Sequence, residues 1–167
     1  MDGDPDAALI GQAGQLALYE NQQAGQFRRW ESPSLPDLVT LVAGELDGDG
    51  QLDVGVIDRD GGLWRVSHRD DVWTAIAVAE WTRVGDVEPG EVRLLVADFD
   101  NNGASDMLAS GPLGTDLWQR DPGGYRHLEI EGRVDVHAVA DLDGDGRLDL
   151  VGLEDGDAVR LLGEGDA

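Results

Sequence analysis

Three acidic loops of nine residues carry the side chains whose types and spacing could do chemistry in this chain. They are loop 1 at residues 45–53 (ELDGDGQLD), loop 2 at residues 98–106 (DFDNNGASD) and loop 3 at residues 141–149 (DLDGDGRLD). Each loop has oxygen-bearing side chains at positions 1, 3, 5 and 9 and a glycine at position 6. Ca²⁺ prefers roughly six to eight oxygen ligands, and glycine permits the positive φ of a tight turn. The spacing therefore predicts a calcium site in each loop.

The predicted ligands are the side chains at positions 1, 3, 5 and 9 and the backbone carbonyl at position 7, where the side chain differs among the loops. They are Glu45, Asp47, Asp49, Gln51 and Asp53 in loop 1, Asp98, Asp100, Asn102, Ala104 and Asp106 in loop 2, and Asp141, Asp143, Asp145, Arg147 and Asp149 in loop 3. A single acidic, glycine-rich stretch is equally typical of a solvated turn. The same oxygen positions in three copies favour metal binding.

The N-terminal residues repeat the second half of the same motif. Residues 2–7 (DGDPDA) align with positions 5 to 9 and the start of the following strand, so that Asp2 and Asp6 correspond to ligands 5 and 9. The sequence therefore predicts an incomplete fourth calcium site at Asp2, Asp4 and Asp6, in a chain that begins within a loop.

The flanks of the loops predict strands rather than the helices of an EF-hand. An EF-hand loop ends in a bidentate Glu at position 12, whereas position 12 is here Val56, Ala109 or Gly152. Short runs rich in Val, Leu and Ala precede and follow each loop, which is typical of strands. Each loop is therefore predicted to join two strands of a hairpin.

The spacing of the loops predicts a repeat architecture. The position-9 aspartates are Asp53, Asp106 and Asp149, 53 and 43 residues apart, and a period near 40–50 residues is typical of a propeller blade of four strands. We predict an all-β fold of about fourteen strands, or about 3.5 four-stranded antiparallel blades, forming a partial propeller or half-ring. The predicted single domain, residues 1–167, divides into blade-like units at about residues 1–34, 35–84, 88–131 and 133–167.

Three arrangements remain open for such a set of blades, because unpaired sheet edges and blade faces invite association. The chain is a fragment of a larger propeller, or a protomer that completes a ring with a second copy, or a four-bladed ring with two incomplete blades. The sequence does not choose among them.

The loops resemble those of the FG-GAP and VCBS-like calcium-binding β-propeller repeats, which include integrin α-subunit heads and ASPIC/UnbV-type extracellular proteins. The segment DLDGDGRLDLVGL at residues 141–153 carries the resemblance most fully. Two residues depart from the pattern, because Glu45 replaces the usual Asp at position 1 and Asn102 removes a charge at position 5. Ligand charge tunes calcium affinity, so we expect loop 3 to bind most tightly and loop 2 least.

The composition limits the partners and the location. The chain has 35 acidic and 12 basic residues and a net charge of -23, which disfavours nucleic acid and anionic membranes because both need basic surfaces. It has no cysteine, no apolar run of the roughly 18 residues that a spanning helix needs, and no signal-peptide pattern in its first residues. By the resemblance, we expect an extracellular or periplasmic location. Because the clustered carboxylates repel one another without a cation, we also expect folding to be coupled to calcium.

Five tryptophans are the next candidates for function, because aromatic rings stack on sugars or anchor partners. Core packing between blades is the favoured interpretation for them, less strongly for Trp81, which lies in a connection between blades. The five are Trp30, Trp64, Trp73, Trp81 and Trp118.

Catalysis is disfavoured, because His68, His127 and His137 lie in strand-like segments without a cysteine or a nucleophile motif. The main hypothesis is a non-catalytic, calcium-binding propeller module that binds a protein partner. The alternative is a lectin-like propeller that binds a glycan through exposed aromatic residues such as Trp30 and Trp81. A homodimer that completes the ring is a further possibility.

Overall fold

The computed structural model describes residues 6–88 and 90–163, and every regular element in them is a β-strand. The fourteen strands form four antiparallel sheets. Blade 1 contains β1 (Ala7–Ile10), β2 (Leu16–Asn21) and β3 (Phe27–Arg29), and blade 2 contains β4 (Leu38–Gly44), β5 (Asp53–Asp58), β6 (Gly62–Arg69) and β7 (Val72–Glu80). Blade 3 contains β8 (Arg93–Ala97), β9 (Asp106–Gly111), β10 (Gly114–Asp121) and β11 (Gly124–Glu129), and blade 4 contains β12 (Asp135–Ala140), β13 (Asp149–Glu154) and β14 (Asp157–Leu161).

The prediction of an all-β fold of propeller-type blades is confirmed. The strands of each blade lie in sequence order, and each strand pairs antiparallel with the next. Loops 1, 2 and 3 connect β4 to β5, β8 to β9 and β12 to β13, so each joins the first two strands of its blade. The last residue of each loop is the first residue of the following strand. All three loops therefore lie at the same position in successive blades.

The hydrophobic core consists of layers between neighbouring blades. Leu18 and Val56 pack between blades 1 and 2, Leu46 and Met107 between blades 2 and 3, and Leu108 with other apolar residues between blades 3 and 4. Because blades 2 and 3 are covered on both faces, every residue of β5 and of β9 is buried. Burial on both faces explains why these strands lack the alternation of apolar and polar residues seen in a half-exposed sheet.

Trp81, one of the two tryptophans considered for a glycan, is buried in the core. The side chain is 1% exposed and packs into the layer between blades 2 and 3. Its Nε1–H donates a hydrogen bond of 2.9 Å to Oδ2 of the buried Asp116 in β10. Trp81 therefore joins the connection after β7 to the interior of blade 3, and it presents no ring to a ligand.

The part of the chain that the structure describes holds no helix with the length and hydrophobicity needed to cross a membrane.

Candidate functional site

Carboxylates come together in each of the three acidic loops. The side chains at positions 1, 3 and 9 offer oxygen atoms that lie within 4.8 Å of one another in every loop. The three groups are Glu45, Asp47 and Asp53, then Asp98, Asp100 and Asp106, then Asp141, Asp143 and Asp149. Among the described residues, the position-5 carboxylates Asp49 and Asp145 fall outside these groups.

The loops are closed by hydrogen bonds that recur in all three copies. The N–H at position 2 donates to the carboxylate at position 9, over 3.0 Å in loop 1, 2.7 Å in loop 2 and 2.9 Å in loop 3. The N–H at position 5 donates to the side chain at position 3, and the N–H at position 7 donates to the side chain at position 5. These turns hold the acidic side chains on the inside of the loop.

Two residues in each loop take the left-handed backbone conformation. The glycine expected to have positive φ at position 6 does so in all three loops, with φ of 79°, 84° and 86°. Position 4 is also left-handed, with Gly48 at 82°, Asn101 at 57° and Gly144 at 80°. Glycine and asparagine are the residues that tolerate this conformation best. These two left-handed residues turn the backbone of each loop tightly enough to bring the side chains at positions 1, 3 and 9 together.

The position-9 aspartates are the buried members of the groups. Asp53, Asp106 and Asp149 are 2%, 0% and 2% exposed. Burial raises the pKa of Asp53 and of Asp106, because a charged carboxylate loses its hydration. The backbone N–H of Leu142 lowers the pKa of Asp149. A buried carboxylate surrounded by others gains most from a cation that neutralises it.

In loops 1 and 3, the residues at positions 5 and 7 are exposed and form hydrogen bonds with one another. Oδ1 of Asp49 accepts the N–H of Gln51 over 2.8 Å, and Asp145 accepts both the N–H and a guanidinium N–H of Arg147, each over 2.9 Å. The side chain of Arg147 therefore lies beside the predicted ligand Asp145. The backbone carbonyls at position 7, including that of Ala104, stay predicted ligands.

Arginines contact the acidic groups of loops 1 and 3. Arg65 lies 3.2 Å from Asp47, and Arg69 lies 3.1 Å from Asp49. Arg160 lies 3.1 Å from Asp143 and 2.8 Å from Asp149. Because a guanidinium and a metal cation both bind carboxylate oxygens, these arginines would compete with a cation for them.

The donor chemistry of the loops fits a hard divalent cation. The grouped ligands are carboxylates, with amide and backbone oxygens beside them and neither His nor Cys among them. Oxygen-only donor sets suit calcium or magnesium rather than zinc or copper.

The predicted fourth site lies partly outside the described residues, which exclude Asp2 and Asp4. Oδ1 of Asp6 accepts the N–H of Asn21, at the end of β2, over 2.9 Å. The corresponding contact in blade 3 runs from the N–H of Arg120 to Oδ1 of Asp106 over 2.6 Å. Asp6 therefore makes the contact of a position-9 residue.

Residues at position 2 connect the loops to the next blade, a role that the sequence analysis did not assign. Leu46 is 0% exposed within the layer between blades 2 and 3, and Phe99 packs in the layer between blades 3 and 4. Leu142, which follows the same pattern in loop 3, is 50% exposed. The signal in the sequence is the apolar residue at position 2 of all three loops.

An aromatic cluster lies beside loop 1 at the junction of blades 1 and 2. The rings of Trp30 and His68 stack with centroids 5.4 Å apart, and Trp73 lies 5.5 Å from Trp30 and 4.8 Å from His68. The cluster lines a cavity of about 290 Å³ that also borders Asp53. Of the two tryptophans considered for a glycan, Trp81 is buried in the core, whereas Trp30 is half-buried and lines this cavity.

The comparisons with known proteins bear on the first part of the chain. The family model described as an FG-GAP-like repeat matches residues 1–56, which include β1 to β4, loop 1 and the first four residues of β5. The resemblance to FG-GAP-like repeats is confirmed over this segment. Comparison with curated proteins gives no match.

Proposed function

We propose, with the FG-GAP-like repeat of residues 1–56 as the premise, that this chain is a non-catalytic β-propeller repeat module in which Ca²⁺ rigidifies the hairpin loops. The module serves protein–protein interaction or adhesion. The observation that carries the proposal is the recurrence of one arrangement, in which the carboxylates at positions 1, 3 and 9 lie within 4.8 Å of one another in all three loops.

The residues that would hold calcium are the side chains at positions 1, 3, 5 and 9 and the carbonyl at position 7. Calcium would supply charge neutralisation, since the acidic groups repel one another when no cation is present. The chain itself contributes the turn hydrogen bonds and the left-handed positions 4 and 6 that present these oxygens. Folding stability should increase with calcium by mass action.

Exposed apolar side chains at the two end blades support a protein partner. Leu9 in blade 1 is 54% exposed and Leu153 in blade 4 is 40% exposed, and Leu142 is exposed where Leu46 and Phe99 are covered by a following blade. A protein partner that packed against either end blade would remove such side chains from water. A second copy that completes the ring is one such partner, and the acidic surface disfavours nucleic acid and membrane insertion.

We place the module in an extracellular or periplasmic setting, because calcium loops of modest affinity are filled where calcium is abundant.

Calcium titration by isothermal calorimetry tests the proposal. The wild-type chain, stripped of metal with a chelator, should release or absorb heat when calcium is added. The combined variant Asp47→Asn, Asp100→Asn and Asp143→Asn should lose this binding heat. Each substitution keeps an oxygen for the turn hydrogen bond and removes only charge. Equal heats from both proteins would refute calcium binding by these loops.

A glycan is the second candidate partner, and the Trp30–His68–Trp73 cluster beside its cavity favours it. Aromatic rings in such a cavity would stack on the apolar face of a sugar. A glycan array in calcium, followed by quenching of tryptophan fluorescence, tests this candidate. Binding that Trp73→Ala abolishes supports the lectin, and binding that the variant retains refutes this cavity as its site.

A further inference from the structure

Arg120, near the end of β10, is tied to loop 2 by its backbone. Its N–H donates to Oδ1 of Asp106 over 2.6 Å, and its carbonyl accepts a hydrogen bond of 2.8 Å from Nδ2 of Asn102. Asp106 and Asn102 hold positions 9 and 5 of loop 2. The backbone of Arg120 is thus fixed by two of the residues that would bind a cation in that loop.

The side chain of the same residue reaches loop 1 in the neighbouring blade. Nη2 of Arg120 donates to the backbone carbonyl of Asp47 over 2.6 Å. Tyr125, the register partner of Arg120 on β11, donates from its hydroxyl to the carbonyl of Leu46 over 3.0 Å. A Cβ on Gly48 would come within 3.4 Å of the guanidinium. Positions 2 to 4 of loop 1 are therefore held against blade 3.

The nature of these contacts separates Arg120 from the other arginines near loop 1. Arg65 and Arg69 contact the carboxylate of Asp47, which a cation in loop 1 would also need. The hydrogen bond from Arg120 goes to a backbone carbonyl. It leaves the carboxylate oxygens to the cation, so it is compatible with a filled loop.

We propose that Arg120 couples calcium binding in loop 1 to calcium binding in loop 2. The inference rests on the proposed function and adds a connection between two of its sites. A cation in loop 2 fixes Asp106 and Asn102, these fix the backbone of Arg120, and the guanidinium then holds loop 1 in its closed form. Because coupling between binding sites is reciprocal, a cation in loop 1 strengthens binding in loop 2 by the same factor.

Asn102 has a defined role in this connection. Its amide donates to the carbonyl of Arg120, and an aspartate at that position has no N–H to donate. The residue that lowers the charge of loop 2 is thus the one that links the loop to Arg120.

A double-mutant cycle tests the coupling by calorimetric calcium titration. Every protein carries Asp143→Asn, so that loop 3 is silent, and the affinity of loop 1 is measured with loop 2 intact or disabled by Asp100→Asn. With Arg120 present, disabling loop 2 should weaken loop 1 by about fivefold or more. In the Arg120→Met background, disabling loop 2 should change the affinity of loop 1 by less than about twofold.

Tyr125→Phe is the matched control, because it removes a contact to loop 1 and keeps the link through Arg120. It should weaken loop 1, yet the effect of disabling loop 2 should remain. If Arg120→Met does not fold, Arg120→Lys, which keeps the charge but loses the planar donor group, replaces it and should reduce the coupling. An equal loss in both Arg120 backgrounds would overturn the coupling and leave calcium binding intact, whereas no calcium binding in wild type would overturn the proposed function itself.

Discussion

Replacing Asp143 by asparagine should destabilise the protein in calcium and change little in chelator. The carboxylate of Asp143 lies in the acidic group of loop 3, accepts the N–H of Asp145 over 3.2 Å and lies 3.1 Å from Arg160. Asparagine keeps the oxygen that accepts this N–H, so only the charge is lost. Without calcium, the variant loses an ion pair whose side chains are 36% and 41% exposed, and such pairs are worth at most about 1 kcal/mol.

With calcium at about 100 times the dissociation constant of loop 3, a filled site adds about 2.7 kcal/mol to the free energy of unfolding. For a domain of this size, that loss lowers the melting temperature by about 5–10 °C. Calorimetric melts of wild type and Asp143→Asn, in calcium and in chelator, measure the difference. Asp155→Asn removes the same charge from an exposed turn of blade 4 and should shift neither melt by more than about 2 °C. Equal shifts of Asp143→Asn in both conditions would refute action through a metal.

Three further predictions follow from single contacts. Arg160→Met removes the guanidinium 2.8 Å from Asp149, so the calcium affinity of loop 3 should rise by about two- to fivefold in a calorimetric titration, and a weaker affinity would show that Arg160 does not compete. Leu46→Ala truncates a fully buried side chain and should lower the free energy of unfolding, measured in urea, by about 2–5 kcal/mol. The exposed Leu142→Ala should lower it by about 0.5 kcal/mol. Equal losses would contradict the packing of loop 1 against blade 3. Trp81→Phe leaves the buried Asp116 without the indole donor and should cost about 1–3 kcal/mol with or without calcium, whereas an effect confined to calcium would contradict a structural role.

Local patterns made the strands and loops predictable from the sequence. A hairpin loop is specified by residues adjacent in the chain. Three loops with the same spacing of oxygen-bearing residues were therefore enough to predict a repeat of blades. The positive φ of Gly50 at position 6 follows from the same pattern. Position 4 carried a comparable signal in glycine and asparagine, and it is also left-handed.

Contacts between blades could not be predicted in the same way. The hydrogen bond from Arg120 to Asp47 joins residues 73 positions apart, and no spacing rule connects them. The burial of Trp81 could not be read from its own repeat for the same reason, because its ring packs against the next blade and donates to Asp116 there. Packing of one repeat on the next is set by three-dimensional neighbours, which a motif within one repeat does not contain.

The most direct test of the account is the number of calcium ions bound per chain, measured by equilibrium dialysis with elemental analysis. About three ions should bind at saturation, one for each loop in which three carboxylates lie within 4.8 Å of one another. The combined variant Asp47→Ala, Asp100→Ala and Asp143→Ala, which removes a ligand side chain from each loop, should bind close to none. A wild-type ratio near zero, or a ratio unchanged in the combined variant, would contradict the assignment of the acidic loops as calcium sites.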